Sequence, residues 1–323
     1  MPVPFDAELL AAHRAAVQAD PAPMSLERLA EVRAEDAAEV PHLDALGRGG
    51  RFAVTEQAVP GPGGAPGATL LICVPVDVPG PRPTLYYTHG GGMFSGDHRV
   101  GLDPLLDMAE RFGAALVSVG YRLAPEHPHP APIDDVHAGL LWITDHAADL
   151  GLDPERIVVA GTSAGGGLTA ALALTVRDQG GPRLLGQLLM CPMLDDRNDS
   201  ASSWQMDGHD IWDRGWNGFG WNALLGAARG GPDVPPYAAP ARATDLSGLP
   251  PAFIDVGSAE SLRDEAVDYA NRVWQADGEA ELHVWSGGFH CFDVIAADAR
   301  ISRAAREARD SWLNRLLTTG RPA

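Results

Sequence analysis

The chain has 323 residues, which suits one large α/β domain with an inserted or appended cap, or two domains at most, and its 45% of hydrophobic residues is ample for a buried core. Its 24 basic and 43 acidic residues leave a formal net charge of −19, a surface that repels nucleic-acid phosphates and anionic lipid and argues against both as partners. All 24 basic residues are arginine. Without lysine there is no Schiff-base chemistry, no Ser–Lys dyad and no P-loop lysine.

The N-terminus, MPVPFDAELLAAHRAAVQAD, lacks the basic start and apolar stretch of a secretory signal. No apolar run approaches the roughly 18–20 residues of a membrane span. Residues 7–46 are rich in Ala, Leu and Glu at helical spacing, and two helices are expected there. Leu26, Leu29 and Val32 form one apolar row of the second helix, with Ser25 as its cap.

Strand patterns begin at 51–57 and 68–75, separated by the turn PGPGGAPG, so these two segments are expected to form a hairpin. Six more follow at 84–89, 115–121, 156–161, 187–192, 252–257 and 281–286, with stretches long enough for crossover helices between several of them. This alternation predicts an α/β fold with a mostly parallel sheet of eight strands and helices on both faces. The connection from 192 to 252 is the exception: roughly 60 residues is far more than a simple crossover requires. It carries Trp204, Trp212, Trp216 and Trp221, half of the eight Trp in the chain, and Trp212, Trp216 and Phe219 have helical spacing. The predicted organisation is therefore cap helices at 1–46, a catalytic domain over 47–196 and 236–323, and an inserted cap segment at 197–235.

The three cysteines, Cys73, Cys191 and Cys291, are far apart in the chain, odd in number and without metal-ligand or disulfide spacing. Cys73 and Cys191 end the apolar runs LLIC and LLMC, as buried free thiols do, which fits a reducing, cytoplasmic location.

Three segments carry chemistry. Gly161-Thr162-Ser163-Ala164-Gly165 joins the strand RIVVA to the helical run LTAALALTV. In that strand–turn–helix setting, small residues let the chain turn sharply and hold the Ser163 hydroxyl clear of the backbone at the positive end of a helix. His89-Gly90-Gly91-Gly92 follows the strand TLYYT, and its bare backbone N–H groups are suited to an oxyanion, with the N–H of Ala164 as a further donor. His89 itself is read as pinning that loop. Gly287-Gly288-Phe289-His290 follows the last strand and places His290, one of 11 histidines, downstream of the nucleophile and the acid, the order Ser, acid, His. The acid belongs at the end of strand 252–257, where Asp255, Glu260, Asp264 and Glu265 all lie. Glu260 occupies the loop position a triad acid requires.

Taken together, these motifs resemble the bacterial hormone-sensitive-lipase family of esterases (family IV, with a Thr-containing elbow). That family pairs HGGG with a G-[DTE]-S-A-G-G elbow and a YRLAPE segment. Here they read HGGGM (89–93), GTSAGG (161–166) and YRLAPEHPHPAPIDD (121–135). The family's D-P-L-x-D-E acid motif matches residues 260–265, so its Asp falls on Glu260, as in some members with the Thr-containing elbow. The resemblance covers nearly the whole chain. It implies an α/β-hydrolase fold with a helical cap and a catalytic triad of Ser163, Glu260 and His290. The oxyanion hole is implied at Gly91, Gly92 and Ala164. No cofactor or metal is implied; the partner is a small ester, and homodimerisation is expected. The implied activity is hydrolysis of short- to medium-chain carboxylic esters through an acyl-enzyme. Hydrolysis of a lactone or amide on the same triad, or a non-catalytic receptor of the same fold, are the alternatives. Glu126 and Asp135 are expected to buttress the active-site loops, and Asp195-Asp196-Arg197 to make local ion pairs.

Overall fold

The computed structural model describes residues 1–19, 22–61, 64 and 67–319. Eight strands form one sheet: β1 (Phe52–Ala58), β2 (Thr69–Pro75), β3 (Arg82–Thr88), β4 (Ala115–Gly120), β5 (Leu152–Thr162), β6 (Gly186–Met190), β7 (Ala252–Gly257) and β8 (Ala280–Trp285). Their spatial order is β1-β2-β4-β3-β5-β6-β7-β8. The expected hairpin is present, with β1 antiparallel to β2 and Val59 N–H donating to Ala68 O at 2.9 Å where the ladder closes. Positions 62, 63, 65 and 66 of the expected turn lie outside the described residues. β2 is also antiparallel to β4, and every later pair is parallel.

The parallel strands are apolar on both faces because helices cover both. Ile157 and Val159 of β5 point into one core with Val117 and Val119 of β4. That core is closed by α5 (Ala131–Asp145), α7 (Ala164–Gln179) and α10 (Arg263–Gln275). Val158 and Ala160 alternate to the other side, against α3 (Leu43–Leu46), α4 (Asp103–Phe112) and α12 (Arg300–Thr319). The one-turn helix α6 (Ala147–Leu150) leads into β5.

At the N-terminus, α1 (Leu10–Ala19) and α2 (Leu29–Glu39) are the two expected helices. The cap of the second is corrected: α2 begins at Leu29 after Arg28, and Ser25 contributes its carbonyl to the Arg28 N–H. Because the helix starts late, Leu26 falls outside the apolar row and is 68% exposed, while Leu29 and Val32 are buried. The long connection holds α8 (Ala201–Gln205) and α9 (Arg214–Leu225). Trp212 precedes α9 instead of sharing its face with Trp216, since Asp213 caps the helix by accepting the Trp216 N–H at 2.9 Å. The one-turn α11 (Phe292–Ile295) follows His290 and leads to α12.

Candidate active site

The carboxyl ends of β3, β5, β6 and β7 and the loop after β8 meet at one edge of the sheet. Ser163 sits between β5 and α7 with φ 57° and ψ −121°, a left-handed strain that the surrounding contacts hold in place. Its N–H donates to Met190 O at 2.8 Å, and its carbonyl accepts from Gly167 and Met193 at 3.1 and 2.9 Å. Glycine is required at 165 because a Cβ there would lie 2.0 Å from Thr88 O. That close packing presses the first turn of α7 against the His89-Gly90 loop.

His290 lies in the loop after β8, and its Nε2 is 3.0 Å from Ser163 Oγ. On the other side of the ring, Nδ1 is 3.3 Å from Glu260 Oε1. Glu260 is fully buried, and its second oxygen accepts the Gly257 N–H at 3.0 Å, which fixes the carboxylate at the end of β7. The other acid candidates are engaged elsewhere. Asp255 pairs with Arg309 at 2.7 Å, Asp264 accepts the Ser202 N–H at 2.7 Å, and Glu265 accepts the Leu194 N–H at 2.7 Å. Burial disfavours a charged imidazole, but Cys191 and the Glu260 carboxylate favour it, and the balance holds the His290 pKa above its ordinary value.

The glycine loop faces the serine. Gly91 and Gly92 have φ of 103° and 61°, and a Cβ on Gly92 would lie 2.4 Å from the Trp212 ring. Among the described residues no internal acceptor takes the N–H of Gly91, Gly92 or Ala164. His89 packs flat on Tyr121 at 4.3 Å between ring centroids, and Tyr121 Oη donates to His89 O at 3.0 Å. Burial pushes the His89 pKa down to about 4, so its ring is neutral and serves to hold the loop. The residues expected for nucleophile, base and acid thus meet at one point, with the glycine loop packed against the turn that carries Ser163.

The matches to known proteins agree with this arrangement. Residues 85–294 match the family model described as the alpha/beta hydrolase fold. The chain belongs to this family. It is 40% identical over 223 residues to the carboxylesterase NlhH of Mycobacterium tuberculosis, an alignment that covers 62% of this chain and 63% of that enzyme. It is 35% identical over 245 residues to the esterase LipI of Mycobacterium tuberculosis, covering 71% of this chain and 72% of LipI. Among solved structures, a bacterial heroin esterase superposes with a TM-score of 0.87 at 36% identity, covering 97% of this chain and 98% of that one.

Of the residues that complete the site, Asp210, His13, Arg33 and Asp36 carry no motif signal, whereas Trp212, Glu126 and Asp135 are expected from the sequence. Asp210, from the long connection, accepts the backbone N–H of His290 at 3.3 Å, and its other oxygen lies 3.9 Å from His13 Nε2 of α1. Burial pushes the Asp210 carboxyl up to about 8. Trp212 stacks between His290 and Phe94, with ring centroids 6.0 and 6.1 Å away. Arg33 of α2 donates to Phe94 O and Ala124 O, each at 2.8 Å, and grips Glu126 with both terminal nitrogens. Asp36 of α2 accepts the Gly96 N–H at 2.9 Å. Asp135 is buried and takes three hydrogen bonds from Arg122. These contacts tie α2 and the YRLAPE segment to the glycine loop. Asp195 pairs with Arg197, and Asp196 with Arg242, both at 2.7 Å. Nothing local in the sequence around Asp210 or Arg33 reveals these partners, which lie tens of residues away.

Proposed function

We propose that the protein is a serine carboxylesterase acting through an acyl-enzyme. The observation that carries this reading is the 3.0 Å approach of His290 Nε2 to Ser163 Oγ, with Glu260 behind the imidazole. Ser163 attacks the ester carbonyl, and His290 takes its proton and returns it to the departing alkoxide. Glu260 holds the imidazole in the tautomer that accepts at Nε2 and stabilises the imidazolium. The N–H groups of Gly91, Gly92 and Ala164 receive the oxyanion, each donor contributing about 3 kcal/mol to barrier reduction. Water, activated by the same histidine, then releases the acid and restores Ser163. No cofactor enters this cycle.

The cap in this reading comprises residues 1–46 and 197–235 over a catalytic domain of 47–196 and 236–323. The contacts of Arg33, Trp212 and Asp210 with the glycine loop and His290 support that division. Phe94, Trp212, Trp216 and Phe219 pack together next to the glycine loop, which favours esters with short to medium acyl chains. No helix among the described residues is long and apolar enough to cross a membrane. A cytoplasmic location is supported by three free cysteines, and a homodimer is the expected assembly, to be tested by light scattering.

A fluorophosphonate should label Ser163 and abolish hydrolysis of p-nitrophenyl esters, with rates falling as the acyl chain lengthens. A labelled protein carrying the probe elsewhere, or turnover by the labelled enzyme, would overturn the reading.

A further inference from the structure

Cys191 follows β6 and Cys291 follows His290, and the fold brings their sulfurs to 3.7 Å without a bond. The two thiols and the ring of His290 offer three ligand atoms that all lie within 4.8 Å of one another. Four ligands at tetrahedral angles around zinc, with Zn–S bonds of about 2.3 Å, place two sulfurs about 3.8 Å apart. The observed separation is therefore the edge of such a tetrahedron before any metal arrives.

Two cavities add to this. One of about 10 Å³ is lined by Cys191, Cys291 and Glu260 together with Asp255, Asp293 and Arg309, and since His290 does not border it, it adjoins the two thiols and not the whole ligand set. The other, of about 350 Å³, reaches solvent and is lined by Cys291, Gly90 and Thr162 among others, so an ion has a path to the half-buried Cys291 thiol. We propose that Cys191, Cys291 and His290 form a binding site for a thiophilic divalent cation, with Zn²⁺ as the type, and that filling it switches hydrolysis off.

Binding replaces two S–H bonds by two metal–sulfur bonds and releases two protons to solvent, with no change of oxidation state. The ring nitrogen of His290 that binds the ion leaves its present partner and gives its lone pair, and a proton on that nitrogen moves to the other ring nitrogen or, from the imidazolium, to solvent. The loss of activity rests on the reading of His290 as the general base; the binding itself does not.

The test uses the full-length, reduced, chelator-treated protein. Zn²⁺ should inhibit ester hydrolysis, with recovery on adding EDTA. C291A should keep the chelator-treated rate, and both C291A and C191A should need about 10- to 100-fold more Zn²⁺ for half-inhibition. Since Cys291 is partly exposed, C291A decides the matter if C191A folds poorly. Co²⁺ should produce a thiolate charge-transfer band in the wild type and in S163A, and lose it in C291A. Absence of the band in the wild type, or an unchanged band or unchanged Zn²⁺ sensitivity in C291A, would overturn the site. A band in a protein that hydrolyses no ester would leave the site standing and remove the esterase reading.

Discussion

The imidazole of His290 stands 3.0 Å from the Ser163 hydroxyl, although 127 positions of chain separate them. The elbow after β5 and the loop after β8 are both anchored by the sheet, so this distance is set by the β5–β6–β7–β8 register and not by local sequence. Ser163→Ala should leave the fold intact, since alanine keeps the backbone bonds to Met190 and Gly167. Turnover of p-nitrophenyl butyrate should fall by about 10⁴-fold or more. Equal circular dichroism with wild-type activity would refute the mechanism.

Glu260 and Asp255 separate catalysis from stability. Glu260→Gln keeps the shape of the carboxylate but removes its charge beside His290 Nδ1, and kcat should fall by about 10²- to 10⁴-fold with the melting temperature little changed. Asp255→Asn instead weakens a buried pair with Arg309, which keeps Asp293 as a partner, and should cost about 1–3 kcal/mol of stability. Its folded fraction, assayed at low temperature, should still hydrolyse esters. The reverse pattern would move the acid to Asp255.

The pH dependence follows from the raised His290 pKa. A general base works when neutral, so kcat/KM should rise with pH through that pKa, and the acid limb should lie above the ordinary imidazole value of about 6.5. In Glu260→Gln one of the groups favouring the imidazolium is gone and burial weighs more, so the limb should move to lower pH. A pH–rate profile of chelator-treated enzyme reads both, and a limb that stays in place removes Glu260 from the account.

Asp210 gives a stability signature of the opposite kind. In the unfolded chain its carboxyl loses its proton near pH 3.9, whereas in the fold burial holds the proton to about 8. Between those values the folded state binds more protons than the unfolded state, so this group lowers stability progressively as pH rises from about 4 to 8. Asn at 210 cannot ionise. Relative to the wild type, Asp210→Asn should therefore melt higher at pH 9 than it does at pH 5. A melting difference that is the same at both pH values would exclude a buried neutral carboxyl.

The glycine loop can be tested at one position. A Cβ on Gly92 meets the rings of Trp212 and Phe94 at 2.4 and 2.5 Å, and its φ of 61° strains any other residue. Gly92→Ala should swing the loop N–H groups off the oxyanion and lower kcat by about 10²- to 10³-fold. If kcat is unchanged, the loop donors lie elsewhere.

Much of this was legible in the chain itself, for a definable reason. The unbroken apolar runs of the strands, the small residues around Ser163 and the order Ser163, Glu260, His290 are signals carried within a few residues, so the eight strands and the elbow could be read from them. The misreadings were local as well: Ser25 yields the cap to a helix that starts at Leu29, and Trp212 stands before its helix because Asp213 caps it. What tertiary structure alone decided are contacts between distant segments. Asp210 reaches the His290 backbone from 80 positions away, Arg33 grips Phe94 O across 61, and Cys191 meets Cys291 across 100. No spacing rule connects such residues, because their proximity depends on strand order, register and how the cap helices settle on the sheet edge.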